Sequence, residues 1–247
     1  MENSRRIKLT LTYDGTDFLG WQVQANQVRT VQGVIEEKLS SFLNSKIRIH
    51  GSGRTDAGVH AKNQVAHFDT TSSMDSEKMF HILFKMLPKD ILLKSLSEVE
   101  SDFHSRFSAK SRQYVYQVAS KKILWERNFK WILKTQVNLE KMNEVARVFL
   151  GRQNLVSFCR AKTEVQNYFC DIQKIEILET ADGFDFRIKA NRFLHSTVRM
   201  ILGFLIEVGI GKYSSEDLEK ILKSDERVTI HMRVAPPQGL FLEEVRY

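Results

Sequence analysis

Proline is scarce in this chain, with three residues in 247: Pro88, Pro236 and Pro237. No stretch rich in Pro, Gly or Ser marks a linker, and no low-complexity segment or short repeat is present. Cysteine is scarcer still. Cys159 and Cys170 cannot build a disulfide framework, and the ten residues between them fit no zinc spacing. A reducing, cytoplasmic setting is the expectation. Long apolar runs are lacking too. The longest, Met200 to Ile206, stops at Glu207, far short of the roughly 18 residues a membrane span needs. The opening Met1-Glu-Asn-Ser-Arg-Arg leads into alternating residues, which excludes a secretory signal. A hydrophobic content of 42% beside 27% charged residues excludes wholesale disorder or a collagen-like fibre and suits a chain able to bury a core.

Positive charge is abundant. The formal net charge is +7 and the pI about 9.3, a balance that favours polyanions such as RNA or DNA without proving binding. Between Ser105 and Lys134 there are eight basic residues and one acid, Glu126, so this segment alone carries the whole excess. It also carries Phe107, Tyr114, Tyr116, Trp125, Phe129 and Trp131. Cations interleaved with aromatics suit phosphate pairing and base stacking. A strand-rich segment with a solvated charged face has the same composition.

The apolar periodicity alternates between strand and helix. Ile7 to Tyr13 reads as a half-buried strand, Val31 to Asn44 as a helix, Ile47 to His50 as the start of a short strand, and Gln64 to Asp69 as another. A helix over Met79 to Leu87 ends at Pro88, and Ile91 to Val99 is a strand. Beyond the basic segment, Tyr114 to Ala119 is a strand, and Leu139 to Phe149 a helix closed by Gly151. Ile172 to Leu178 and Phe184 to Ala190 form a hairpin about Ala181-Asp-Gly183. Helices over Val198 to Ile206 and Ser215 to Lys223 precede a closing strand, Leu240 to Val245. The pattern is α+β, two similar halves divided into 1–104 and 105–247.

The densest chemical signal is Gly51-Ser-Gly-Arg-Thr-Asp-Ala-Gly-Val-His-Ala61, between two predicted strands. Its glycines permit positive φ or a close backbone approach. Gly53 and Gly58 have the spacing of a Walker loop, but Val59-His60 follows where Lys-Ser/Thr is needed. A dinucleotide fingerprint requires glycine at the position held by Asp56, and a carboxylate there repels phosphate. Two readings remain open on spacing alone. Arg54 and Asp56 form a structural ion pair in a turn, or the loop presents Asp56 as a nucleophile or base kept ionised by a cation.

The loop resembles the signature of the TruA-type tRNA pseudouridine synthases, and other segments agree in the same order. Leu11 to Gly15, Phe18 to Gln22 and Thr30 to Gln32 are similar to the family's N-terminal strand and loop. Asp102 to Tyr116 resembles its second motif, Phe193 to Arg199 with Gly203 and Glu207 to Gly209 its third, and Ala235 to Leu242 its fourth. Thr197 departs from the methionine common there, and Asn167 to Asp171 from a more polar run, while Lys121 to Thr135 matches nothing in the family pattern.

The resemblance implies the pseudouridine synthase fold, two α+β halves with antiparallel sheets flanking a basic central cleft. It implies isomerisation of uridine to pseudouridine at positions 38, 39 and 40 of the tRNA anticodon stem-loop, by a homodimer that needs no cofactor or metal and engages neither DNA nor membrane. Asp56 is then the catalytic aspartate. Arg199 is its guanidinium partner, unless it only pairs with acids on its own helix face. Arg54 contacts phosphate or braces the loop. Tyr114 stacks on the target base, whereas Tyr116 packs in the core. His60, His104 and His195 are structural or touch RNA, and Trp21 and Gln22 touch RNA or, for Trp21, pack. The basic segment would line the cleft. Rival readings are a relative acting on other tRNA positions and a non-catalytic RNA-binding or chaperone module; the failed phosphate loops disfavour a nucleotide-binding metabolic enzyme.

Overall fold

The computed structural model describes residues 4–26, 28–160, 165 and 167–247. The chain divides into two compact units, Met1–Lys110 with Leu242–Tyr247, and Ser111–Phe241. The sequence reading divides it at 104/105 and leaves the closing strand with the second half. Met1 to Asn3, part of the opening read for a secretory signal, lie outside the described residues.

In the first unit β1 (Arg5–Tyr13) is flanked antiparallel by β3 (His60–Thr70) and β4 (Ile91–Val99), and β2 (His50–Gly51) also pairs with β3. The alternation read in β1 is real: Ile7, Leu9 and Leu11 are fully buried, and the register sets Ile7 beside Phe68 and Leu9 beside Ala66. Helix α1 (Val31–Leu43) starts where the Thr30 hydroxyl accepts from Gly33 N and ends at Asn44 in the left-handed region. It buries Val31, Ile35 and Leu39. Helix α2 (Ser76–Met86), capped by the Asp75 carboxylate, buries Met79 and Leu83 and packs along β4. Each such aliphatic side chain contributes roughly 1.5–3 kcal/mol of burial. The strand expected from Ile47 is shorter than expected. Ile47 and Ile49 are buried, but only His50 and Gly51 join the ladder.

In the second unit the antiparallel order is β5 (Ser111–Ala119), β9 (Gly183–Ala190), β8 (Phe169–Thr180), β7 (Gly151–Asn154), with the two-residue β6 (Trp131–Ile132) parallel to β5. Thr180 pairs with Gly183, so the expected hairpin closes over Ala181-Asp182. Helices α3 (Leu139–Ala146), α4 (Thr197–Gly209) and α5 (Ser215–Lys223) complete it. Phe149, Phe158, Phe204 and Tyr213 pack in a chain with ring centroids 5.1–5.5 Å apart. Gly151 does not close α3. A 3₁₀ turn, Arg147–Phe149, intervenes, and Gly151 with φ +82° opens β7, too short and polar to show a period of two. The closing strand β10 (Leu240–Arg246) ends in the first unit, where Lys110 N donates to Arg246 O. Among the described residues no helix is long and apolar enough to cross a membrane.

Candidate active site

The loop between β2 and β3 is fastened from below. Gln64, wholly buried on β3, accepts from the Ser52 hydroxyl at 2.7 Å and donates from Nε2 to Gly53 O at 3.0 Å. The Tyr13 phenol and the Thr55 hydroxyl share a hydrogen bond of 2.8 Å. Burial pushes the Tyr13 phenol up to about 12, so it stays neutral. The backbone is fixed at three more points: Ser52 N donates to Val65 O, Trp21 N to Thr55 O and Gly58 N to Phe18 O. Asp56 O accepts from Val59 N in a turn whose third residue, Gly58, has φ +74°. A side chain at Gly51 would meet the Trp21 ring at 2.6 Å, so that indole packs flat on the backbone and is 2% exposed. Trp21 is therefore a packing residue.

This brace sets the side-chain pattern at the tip. Thr55 points inward and is buried; Arg54 on one side is exposed and Asp56 on the other is half-buried. Arg54 and Asp56 thus flank an inward residue, as a strand-like loop requires. His60 closes the loop at its far end. It is 1% exposed, and its Nδ1 accepts from Gly15 N at 2.9 Å with Asp14 Oδ1 3.2 Å away. This histidine is structural. The first unit therefore gathers the segments 11–15, 18–22 and 51–61 into one construction.

His104 belongs to a second group, with the exposed His50 and the buried His67. His67 and His104 rings meet at 4.6 Å, and His50 stacks on His67 at 5.1 Å. Ser105 N donates to His67 Nδ1, the Ser105 hydroxyl donates to His50 O, and the Tyr247 phenol donates to Ser105 O at 2.8 Å. Desolvation, aided by His104, Arg6 and His50, lowers the His67 imidazole to about 4. No group of three His, Cys, Asp or Glu among the described residues is placed to hold a metal.

In the second unit Tyr114 and Tyr116 stand two apart on β5. Tyr114 is 8% exposed and meets the Phe193 edge at 5.3 Å. Tyr116 is fully buried, its phenol donates to Pro236 O at 2.6 Å, and burial raises its pKa. Arg199, in the first turn of α4, donates from Nε to Ala235 O at 2.7 Å, while Ala235 N donates to Arg199 O. Its charge acts on the Tyr116 phenol. The segments 114–116, 193–199 and 235–236 therefore converge within this unit. Ser196, just before α4, has φ +61°, a left-handed conformation uncommon for serine. His195 is exposed, and its carbonyl accepts from Arg160 N. Arg54 and Asp56 are built by the first unit, Tyr114 and Arg199 by the second.

Sequence reasoning missed Gln64, Tyr13 and Thr55 as the support of Asp56. The available signal was Gln64 itself, a polar residue in step with inward Ala66 and Phe68.

The family model described as tRNA pseudouridine synthase matches residues 10–108 and 145–247. The chain is 40% identical to tRNA pseudouridine synthase A of Anoxybacillus flavithermus over 245 residues, covering 98% of this chain and 99% of that one. It is 40% identical to the Bacillus subtilis protein of that name, with coverage of 98% and 99%, and 37% identical to the Staphylococcus aureus one, with coverage of 97% and 90%. The chain belongs to the tRNA pseudouridine synthase family, isomerases of uridine in tRNA.

Proposed function

We propose that Asp56 is the catalytic carboxylate and that the enzyme isomerises uridines 38, 39 and 40 of the tRNA anticodon stem-loop, as a homodimer in the cytoplasm. The single observation that carries the catalytic assignment is the buried brace. Gln64 and Tyr13 hold Ser52, Gly53 and Thr55 just before Asp56, and Phe18 O holds Gly58 N just after it, while the Asp56 side chain stays half-buried at the tip. In the reaction the N1–C1′ bond breaks, the uracil turns, and C5 bonds to C1′; C5 releases its proton and N1 takes one up. Atoms balance without a redox or group-carrying cofactor. Attack on C1′, addition to C6 and abstraction of a C2′ proton all need an ionised carboxylate beside the sugar and base.

Arg199 is assigned as the guanidinium partner that orients Asp56, Arg54 as a phosphate contact for the flipped-out nucleotide, and Tyr114 as the stacking surface for its base. Supporting Arg199 is its fixed Nε–Ala235 bond, which sets the plane of the guanidinium. Supporting Arg54 is its exposure at the loop tip, two residues before Asp56. One site serving neighbouring positions accords with reading of shape and backbone rather than base edges.

The test is tritium release from tRNA carrying 5-tritiated uridine, followed by mapping of the modified positions and light scattering of the free protein. Wild type should release tritium from positions 38–40 and Asp56→Asn should release none. Equal release by both would remove Asp56 from the centre of the reaction.

A further inference from the structure

Residues 120–130 connect β5 to β6 in the second unit and fall outside the two spans matched by the family model, 10–108 and 145–247. No step of the isomerisation uses them. Yet this connection is built rather than loose. Phe129 N and Lys130 N both donate to Glu126 O, Arg127 Nη1 donates to Leu124 O at 2.8 Å, and Ser120 N donates to Asp182 O. The Phe129 ring stacks near Phe241 at 6.4 Å. Lys130 Nζ neutralises the one acid of the turn, Glu126, at 2.8 Å. On this support Trp125 stands 87% exposed next to Leu124 at 62%, and Lys121, Lys122 and Arg127 of the same connection are exposed as well. Tryptophan is highly buried on average, and an ordered turn that holds one in water among cations has a surface to meet.

We propose that this turn is an RNA contact remote from the chemistry: an unpaired base of the tRNA stacks on the Trp125 indole while Lys121, Lys122 and Arg127 take the flanking phosphates. The proposal rests on the tRNA reading above. Charge selects the occupant. The turn has four cations against one acid, so a two-fold interface centred on it would set like charges against each other, whereas a polyanion is matched. The flat indole accepts any base, and the cations supply attraction without sequence preference.

The first test uses the wild-type protein. Trp21 and Trp131 are 2% and 6% exposed, so emission quenched by acrylamide belongs to Trp125. Saturating unmodified tRNA should protect that emission, and undiminished quenching would overturn the proposal. Filter binding supplies the second test. Trp125→Ala should weaken tRNA binding about tenfold and Trp125→Phe less than about threefold, as loss of one stacked base requires. Lys121→Ala with Lys122→Ala should lower the slope of log K against log salt by about two. A Trp125→Ala protein that binds tRNA as wild type does, while wild type releases tritium, would sink this proposal and leave the enzymatic reading standing. Absence of release by wild type would fail that reading itself. Unchanged tRNA affinity with a fall in light-scattering mass would assign the turn to a second copy and overturn the RNA contact.

Discussion

The two units differ in what their interiors are made of. Of the thirteen buried polar or charged side chains among the described residues, nine lie in the first unit, from Thr30 to Ser105, and four in the second. The second unit instead buries Phe149, Phe158, Phe186 and Phe204. The difference matches what each unit must hold. The first holds a loop, whose backbone groups have no ladder of their own and must be met by side chains such as Gln64. The second holds a strand tyrosine and a helix arginine, whose backbones are already paired, so packing suffices. A polar interior fixes directions, because an unmet hydrogen bond is costly; an aromatic one fills volume.

The largest effect that sharpens this comparison separates function from support. Asp56→Asn should cut the rate of tritium release by more than about 10³-fold, because no other group replaces the carboxylate. The melting temperature should stay within a degree or two, since the half-buried amide is nearly isosteric. A matching loss of stability would show that Asp56 is part of the brace. Gln64→Leu should do the reverse. It removes the amide that bonds the Ser52 hydroxyl and the Gly53 carbonyl and should cost about 2–3 kcal/mol of stability in denaturant titration, with a smaller loss of kcat as the loop loosens. Native stability in this variant would mean that water substitutes for the amide and that the polar interior is not what fixes the loop.

Much of this layout was legible in the residues. The alternation in Ile7 to Tyr13 and the helical spacing of Val31, Ile35 and Leu39 foretold a strand and a helix that the structure contains, because both elements bury a single face. β6 and β7 escaped notice because two and four residues carry no period, and β6 exists only by pairing with β5. Of the site, the Arg-Thr-Asp tip was readable as a motif. Its support was not, since Tyr13, Thr55 and Gln64 are 42 and 51 positions apart in their two hydrogen bonds and meet only through the fold.

Acid should distinguish the units next. His67 has an imidazole lowered to about 4 in the fold against 6.5 in an unfolded chain, and His104 is lowered as well. Between those values the unfolded chain binds a proton that the native His67 refuses. Its contribution is therefore complete above about pH 6.5 and is lost as pH falls toward 4. A loss of about 2 kcal/mol is expected over that window, on the scale of 1.36 kcal/mol per unit after allowing for local solvent. The upward shifts in the second unit, at Tyr116 and at Cys170, which burial lifts to about 11, lie on the alkaline side. Hydrogen exchange at pH 4.5 should therefore show protection failing first around β2 and β3. An NMR titration finding His67 above pH 6 would remove this account.

The smallest effect tests the aromatic unit at a polar misfit. Thr197, at the first turn of α4, is 1% exposed, and its hydroxyl has no hydrogen-bond partner among the described residues. Packing alone has to tolerate this orphan oxygen. Valine keeps the shape and the β-branch while removing the unmet polar atom. Thr197→Val should therefore raise stability by about 1 kcal/mol in thermal unfolding. Two residues on lies Arg199, whose guanidinium is oriented by Ala235 O rather than by Thr197. If packing positions Arg199, the valine protein should gain stability and keep its kcat. A stability gain accompanied by loss of kcat would mean that the unpaired hydroxyl is kept for substrate, and that the second unit, like the first, uses a buried polar atom to serve its site.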